Sequence, residues 1–236
     1  MVAEGRQGAG KRQLTPGMVV GRALALADAG GLGGVTIRRL AGELGVTPMA
    51  LYWHFRNKDE LLDAMMASIF SDVDPALDES AGWQEQFRAL MDSLAGSLRA
   101  HPGIAPLFAT RTNSSEGSLR VTEVALDILR RGGFSPTEAT RISRHALSTV
   151  VNLVAGEPGF VAPEDSGELL DARRRARLYL EALPPDRYPR LVEAAAPLTT
   201  SEDPGAYYEF GLNLLLAGIE EMAARKARGP GKKDPR

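Results

Sequence analysis

The sequence predicts an all-α protein in which a small N-terminal helical domain precedes a larger helical bundle. Apolar residues recur at the spacing of an amphipathic helix along most of the 236 residues. Near the N-terminus, Thr or Asn residues followed by Pro or by acidic side chains mark several helix starts. No segment shows sustained alternation of β-branched residues with a period of two, the pattern of a half-buried strand. Together these observations indicate helices and argue against a sheet.

The composition narrows the class of protein. Hydrophobic residues make up 44% and charged residues 25%, which is ordinary for a soluble globular chain. No uncharged apolar stretch reaches the roughly 18 residues of a membrane span, and the polar, Gly-rich start predicts no secretory signal. The chain has no cysteine, which excludes disulfides, thiolate catalysis and cysteine-ligated metals. Its three histidines are scattered, so we expect a cytoplasmic protein without a metal or cofactor and without contact to a membrane.

The charges are unevenly distributed along the chain. Residues 1–60 carry 8 basic and 5 acidic side chains, and residues 61–222 carry 14 basic and 24 acidic ones. Residues 223–236 carry 6 basic and 1 acidic. A basic head on an acidic body is typical of a polyanion-binding module attached to another domain, although a net charge of +3 over sixty residues can also arise by chance.

The first elements follow from their caps. Residues 1–13 lack periodicity and are predicted to be a disordered arm. The first helix begins at Thr15, with proline at its first position, and ends at the glycine pair 30–31. A second, short helix begins at Thr36 and ends at Gly45, because glycine adopts a left-handed conformation at low cost.

Two further caps complete this domain. Thr47 caps a third helix and Asn57 a fourth, whose first turn carries Asp59 and Glu60 where the helix dipole favours acidic groups. The sequence therefore predicts a three-helix domain over residues 14–60.

A second helical domain is predicted over residues 61–226, followed by a disordered basic tail at 227–236. The fourth helix continues from the first domain into this one. Further helices, separated by Gly- and Pro-rich turns, are expected at 83–100, 116–131, 136–155, 168–183, 187–195 and 204–226, with a short turn near 103–109.

The stretch from Thr36 to Lys58 has the proportions of a helix-turn-helix, with its two short helices joined at Gly45 and Val46. Apolar side chains are spaced to pack the pair together: Leu40, Ala41, Leu44, Val46 and Leu51. The remaining side chains fall on or near the other surface of the second helix: Thr47, Pro48, Met49, Tyr52, Trp53 and His54. Adjacent residues of a helix are rotated by roughly 100°, so the three rings cannot all face one core. Tyr52 or Trp53 taken alone fits a core position equally well.

Three segments carry a resemblance to a known family. The run LYWHFRNKDELLDAM at 51–65 resembles the signature of the tetracycline repressor (TetR) family, in which a helix-turn-helix precedes a Tyr-aromatic-His-Phe motif. LFATR at 107–111 is similar to a Leu-Gly-Thr-Arg stretch of the tetracycline repressors, and YYEFGLNLLLAGIEEMAARKA at 207–227 to their final helix. The resemblance implies a helix-turn-helix DNA-binding domain followed by a ligand-binding and dimerisation domain. It also implies a repressor that acts as a homodimer on a palindromic operator and responds to a small molecule.

The resemblance assigns DNA contacts by position. Thr36 is expected to hold a phosphate, and Arg38 to reach a guanine edge in the major groove. Thr47, Pro48 and Met49 are expected to face the bases. The phosphate clamp is expected from Tyr52, Trp53, His54 and Lys58.

The resemblance also places an effector pocket in the second domain. It is expected to be lined by Leu107, Phe108, Arg111, Leu147, Val151, Asn152 and Phe160, although Leu147 and Val151 fit simple bundle core as well. In tetracycline repressors a histidine near the sixth helix helps to hold a magnesium-chelated drug. Glu157 lies roughly where a supporting acid is expected, but Leu107 occupies the position of the histidine here. An apolar or polycyclic effector without magnesium is therefore predicted.

Two other classes of function stay open on sequence grounds. A helix-turn-helix regulator without a small-molecule ligand fits the N-terminal motif, but the large second domain favours a sensor. An α-helical enzyme requires a convergent acid, base or nucleophile set, and the sequence suggests none.

Overall fold

The computed structural model describes residues 14–73, 78, 80–111, 115–156, 167–200 and 203–228. Within these ranges the backbone forms twelve α-helices and no strand, which confirms the all-α class. The helices are α1 (Pro16–Gly30), α2 (Ile37–Leu44), α3 (Pro48–Tyr52), α4 (Lys58–Asp72), α5 (Trp83–Ala100), α6 (Ala105–Thr110), α7 (Glu116–Arg131), α8 (Pro136–Ala155), α9 (Gly167–Glu181), α10 (Pro189–Glu193), α11 (Ala195–Thr199) and α12 (Pro204–Arg228). The expected arm at 1–13 lies outside the described residues.

The N-terminal helices begin at the residues that the caps predict. The hydroxyl oxygens of Thr15 and Thr36 accept the backbone N–H groups of Met18 and Arg39 at 3.3 and 3.2 Å. Gly31 ends α1 at a φ of 68°, in the left-handed region that favours glycine. Helices α1, α2 and α3 then share one apolar core, whose most buried members include Ala23, Leu40 and Leu51.

Helix α4 connects this small domain to the bundle. It packs against α1 on one side and against α5 and α7 on the other. Its buried side chains are Leu61, Leu62, Met65, Met66, Ile69 and Phe70. One helix is therefore buried in both parts of the molecule at once.

The bundle consists of α5, α7, α8 and α12 around a core that includes Phe87, Leu90, Val150 and Leu212. Helices α5, α7 and α8 have the bounds that the sequence predicts. Helix α12 continues to Arg228, so residues 227 and 228, expected in a disordered tail, belong to a helix. The tail beyond them is outside the described residues.

A buried tyrosine makes one of the polar contacts between α12 and α5. The hydroxyl of Tyr208 donates to Asp92 Oδ1 at 3.0 Å, and the guanidinium of Arg99 lies 4.2 Å from the ring centroid. Burial raises the pKa of the Asp92 carboxyl and that of the Tyr208 hydroxyl above their usual values. The contact fixes α12 against α5 near its N-terminal end.

The region between α8 and α12 departs most from expectation. A helix expected over 187–195 is instead two short helices, α10 and α11, because Ala194 leaves helical geometry between them. Helix α9 ends at Glu181, since the prolines at 184 and 185 disfavour helical geometry in the residues before them. It packs on α10 and α11 and has no fully buried side chain.

The expected dimer seam on α12 needs a correction. The sequence predicts a seam built from residues 136–155 and 204–226, where Leu212, Leu215, Leu216 and Ile219 recur at helical spacing. Leu212, Leu216 and Ile219 are buried inside their own chain instead, and Leu215 is half-buried. Helix α12 buries this stripe against α8 and α5, so the exposed apolar residues lie on other positions: Phe210, Leu214 and Met222.

Candidate nucleic-acid interface and ligand cavity

A tight turn orders the helix-turn-helix. Gly45 ends α2 at a φ of 65°, and the N–H of Val46 donates to the Ala41 carbonyl at 3.0 Å. Ala41 is almost fully buried, and its small side chain lets α2 lie close to its neighbours. Because only glycine adopts this left-handed turn readily, the angle between α2 and α3 is set by the sequence itself.

The residues expected to touch DNA are exposed, with one exception. Thr36, Arg38, Thr47, Pro48, Met49, Tyr52, Trp53 and Lys58 are exposed, and His54 is half-buried. The indole of Trp53 is 84% exposed, whereas Phe55, two residues later, is buried in the core. Tyr52 is exposed as well, so the core alternative for Tyr52 and Trp53 is wrong.

Two threonines combine a structural and a chemical role. The hydroxyl oxygens of Thr36 and Thr47 accept backbone N–H groups of their own helices, Thr47 from Ala50 at 3.3 Å. Each hydroxyl keeps its proton, which it can donate to a phosphate or a base acceptor. The caps thus hold these donors at the starts of α2 and α3.

The cations of this face differ in their availability. Arg38 and Lys58 form no ion pair with any residue in the described ranges. Arg22 is paired with Glu43 on the other side of α2, and the Arg39 guanidinium lies against the backbone around Gly34. Among the described residues, Arg38 and Lys58 are therefore free to neutralise phosphate or reach a base.

Behind this face, the bundle contains a cavity of about 490 Å³. The cavity is bounded by α4, α5, α6, α7 and α8. Its apolar wall is formed by Met66, Phe70, Met91, Leu94, Phe108, Val121 and Leu147, and its polar groups by Thr110, Arg111, Ser118, Thr122, Ser143, Arg144 and Ser148. The rings of Phe70 and Phe108 contact each other with centroids 5.4 Å apart.

Three of the seven residues expected to bind an effector line this cavity: Phe108, Arg111 and Leu147. The expectation is wrong for the placement of three others. Leu107 and Val151 are buried in the core outside the lining, and Asn152 is exposed on the surface. A step of one residue turns a helical side chain by roughly 100°, which separates Leu107 from Phe108 and Asn152 from Val151. Phe160 and Glu157 lie outside the described residues.

The polar residues of α8 that line the cavity were not predicted from the sequence. Ser143, Arg144, Leu147 and Ser148 recur at steps of one and four residues, which places them on one stripe of the helix. This stripe runs beside the buried positions Ile142, Ala146 and Val150. Polar residues that border an apolar stripe at helical spacing were the signal that could have revealed them.

Arg111 connects the cavity to α4. Its Nη1 donates to Asp63 Oδ1 at 3.0 Å, and its Nη2 donates to the Asp59 carboxylate. Hydrogen bonds to Asp59 and then Asp63 raise the pKa of the guanidinium above its usual value. A residue of the cavity wall is thus bound to the first two turns of the helix that carries Lys58.

A second contact joins the two parts of the molecule beside α1. The carboxylate of Asp28 accepts the N–H of Gly103 at 2.9 Å and lies 2.9 Å from His101 Nδ1. The chain at Gly103 runs so close to α1 that an added Cβ would lie 2.2 Å from the Ala27 carbonyl. Only glycine fits at this crossing.

Comparison with known proteins identifies the family. The model described as bacterial regulatory proteins, tetR family, matches residues 20–65, and the tetracyclin repressor-like C-terminal domain matches residues 75–223. The chain belongs to the TetR family. It is a ligand-responsive, DNA-binding transcriptional repressor. The matched ranges contain the exposed face on α2 and α3 and the residues that line the cavity.

Individual relatives of this TetR-family repressor align over nearly the whole chain. It is 30% identical to tetracycline repressor class A from transposon 1721 of Escherichia coli, over 94% of this chain and 99% of the relative. It is 28% identical to the HTH-type transcriptional repressor DrrR1 of Streptomyces coeruleorubidus, over 92% of this chain and 81% of the relative. The crystal structure of ActR of Streptomyces coelicolor in complex with actinorhodin superposes with a TM-score of 0.76 at 28% identity, covering 91% and 100% of the two chains. None of the helices in the described part of the chain is both long and apolar enough to cross a membrane.

Proposed function

We propose that this TetR-family repressor acts as a homodimer in the cytoplasm. Each protomer inserts α3 into the major groove of one half of a palindromic operator. A small apolar or polycyclic effector binds in the cavity and releases the protein from DNA. The observation that carries the proposal is that α4 begins at Lys58 beside the exposed face, while its residues Met66 and Phe70 form part of the cavity wall.

The proposed DNA contacts divide by chemistry. Arg38 has the donor geometry for a guanine edge, and Met49 offers an apolar surface to a thymine methyl. Thr36, Tyr52, Trp53, His54 and Lys58 serve the phosphates. Pro48 and Met49 provide no polar base contact, so Arg38, Thr47 and the shape of the DNA carry much of the sequence readout.

The exposed side of α12 supports the homodimer. Leu214 is exposed, and with Met222 it borders a groove between α8 and α12 that His145 also lines. Exposed leucine, methionine and phenylalanine on one long helix favour burial against a second copy. Two-fold symmetry also doubles the number of base pairs that such a short α3 can read.

Selection of bound sites from random-sequence DNA tests this proposal. Palindromic sites with half-sites spaced by about one helical turn, or somewhat more, are expected. Enrichment of single, asymmetric sites contradicts the dimeric arrangement. A helix-turn-helix regulator without a ligand is the weaker candidate, because the cavity combines an apolar wall with several convergent polar groups.

A further inference from the structure

The two charged groups that line the cavity are both cations. Two guanidinium groups, Arg111 and Arg144, and five hydroxyl groups line it. Among the described lining residues there is no carboxylate. A cation beside an apolar wall attracts an anion. Three of the hydroxyls already donate to backbone carbonyls within one helical turn, whereas Ser143 and Ser148 have no such bond to a described residue and can donate to an anion. The chemistry of the wall therefore selects for negative charge as well as for apolar surface.

The two arginines differ in what they already bind. Arg144, on α8, makes no hydrogen bond or ion pair with another described residue. Arg111 binds Asp59 with Nη2 and Asp63 with Nη1. Its guanidinium has five N–H groups, so it can still turn a donor toward the cavity. Arg144 is exposed and has no ion-pair partner among the described residues, whereas Arg111 is shared with α4.

We propose that the effector is an aromatic organic acid whose anionic group is bound by Arg144 and Arg111, in competition with the carboxylates of α4. This rests on the proposed ligand-controlled repressor and names the chemistry of its ligand. The acid draws Arg111 away from Asp59 and Asp63. The first two turns of α4 then lose their tie to α6, and α4 is free to shift the DNA-binding face.

The balance of the competition follows from solvent exposure. The side chains of Asp59 and Asp63 are 73% and 54% exposed, whereas that of Arg111 is 26% exposed. Ion pairs to exposed carboxylates are weakened by solvent and salt, so a less solvated anion inside the cavity competes effectively. The acid and the two carboxylates compete for Arg111, and this coupling is reciprocal. Removing the carboxylates must therefore strengthen binding of the acid by the same factor by which the bound acid weakens the ion pairs of Arg111.

A pair of fluorescent probes with one ring system tests the proposal on the full chain. 8-Anilinonaphthalene-1-sulfonate carries an anion, and N-phenyl-1-naphthylamine is its neutral analogue. Arg144→Met keeps an apolar stem and should weaken binding of the sulfonate by about 10-fold while changing binding of the neutral probe less than about twofold. Asn152→Ala, on the surface of the same helix, is the matched control and should change neither. Unchanged sulfonate affinity in Arg144→Met overturns the proposal.

The shared arginine is tested by removing its partners. The double variant Asp59→Asn and Asp63→Asn should bind the sulfonate about 5-fold or more tightly and the neutral probe unchanged. Equal affinities of this variant and the wild type for the sulfonate overturn the competition.

A cavity variant separates this proposal from the proposed function. Phe108→Ala should weaken both probes, since it removes apolar wall from the cavity. If Phe108→Ala weakens both probes and Arg144→Met weakens neither, the acid preference is wrong while the ligand cavity stands. If Phe108→Ala weakens neither, the probes bind elsewhere and the proposed function of the cavity fails with the inference.

Discussion

Arg38 and Lys58 are both exposed cations without a carboxylate partner in the described residues. Their positions nevertheless predict different contacts, with a base for Arg38 and with phosphate for Lys58. Arg38 lies in the first turn of α2, and Lys58 is the first residue of α4. We expect Arg38→Ala to cost about 1–3 kcal/mol on the cognate operator and to relax preference at one base position. Lys58→Ala should weaken all sequences alike and flatten the salt slope by about one unit. DNA titrations at several salt concentrations check both, and identical behaviour contradicts the division.

Gly103 is the position where one added carbon has the largest effect. In Gly103→Ala the new Cβ would lie 2.2 Å from backbone atoms of Ala27, so α1 or the chain after α5 must move. We expect a loss of about 1–3 kcal/mol in the free energy of unfolding, measured by urea denaturation. Gly96→Ala is the control, since no atom lies within 4 Å of its added Cβ inside α5. That substitution should stabilise the protein by about 0.5–1 kcal/mol, and equal effects of the two would disprove the crossing.

At the scale of elements, α8 and α12 are joined at their opposite ends. Glu138 completes the capping box of α8 with Ser135 and binds Lys226 near the end of α12. Lys226 and Ser135 lower the pKa of Glu138 to about 2. A depressed carboxyl pKa contributes stability that is present above the usual value near 4.5 and is lost as the pH falls toward 2.

This contact predicts an acid-dependent difference between variants. Glu138→Gln keeps a capping side chain but loses the charge. The wild type should exceed it in urea midpoint at pH 6, and the gap should close as the pH falls from about 4.5 to 2. Glu220→Gln, an exposed position on α12 without such contacts, serves as the control. A Glu138→Gln gap that is constant over this range would contradict the assignment.

The outer side of α12 gives a second prediction at this scale. Leu214 on α12 and Leu119 on α7 are each 61% exposed, but only Leu214 borders the groove with α8. Leu214→Glu should therefore shift the protein toward the monomer and weaken DNA binding, because charge is costly in an apolar interface. Leu119→Glu should leave the mass unchanged. Light scattering at micromolar concentration checks the pair, and a monomeric wild type would refute the homodimer.

For the whole molecule, α4 is the element through which a ligand can act on DNA. Its N-terminal end is bound through Asp59 and Asp63, and Arg120 of α7 lies 3.4 Å from the Ser71 carbonyl at its other end. A ligand can bind the protein more tightly when α4 is in the position that does not fit DNA. It then lowers DNA affinity by the ratio of its affinities for the two positions of α4. The typical coupling is about 1–3 kcal/mol per site.

Release from the operator should therefore depend on the cavity and be independent of a divalent metal. Phe108→Ala should weaken the response to effector while free DNA binding stays close to that of the wild type, because the ring faces the cavity and Phe70. Asn152→Ala, which the sequence alone suggested as equivalent, should respond as the wild type does because its side chain is exposed. Operator release is measured with and without a chelator. Strict dependence on magnesium would restore the tetracycline-type mechanism.

Features that depend on short-range chemistry could be predicted from the sequence. Thr15, Thr36 and Asn57 fix helix starts because a side-chain oxygen three residues away satisfies a free N–H. Gly45 fixes the turn because glycine adopts its left-handed φ of 65° at lower cost than other residues. The exposure of the aromatic residues was predicted only in part: helical spacing excluded one shared core for three adjacent rings, but α3 ends at Tyr52, and the sequence left a core position open for Tyr52 or Trp53.

Which side of each bundle helix faces the core, the cavity or solvent depends on tertiary packing and could not be predicted from the sequence. Val151, Asn152 and Leu147 lie on one helix, yet the packing of α8 against α5, α7 and α12 leaves Leu147 on the cavity, Val151 in the core and Asn152 in solvent. Arg111 meets Asp59 and Asp63 across 48 or more residues of sequence, a distance over which no local pattern carries information. Helical periodicity gives a stripe of apolar residues, but the partner of that stripe depends on how distant helices pack together.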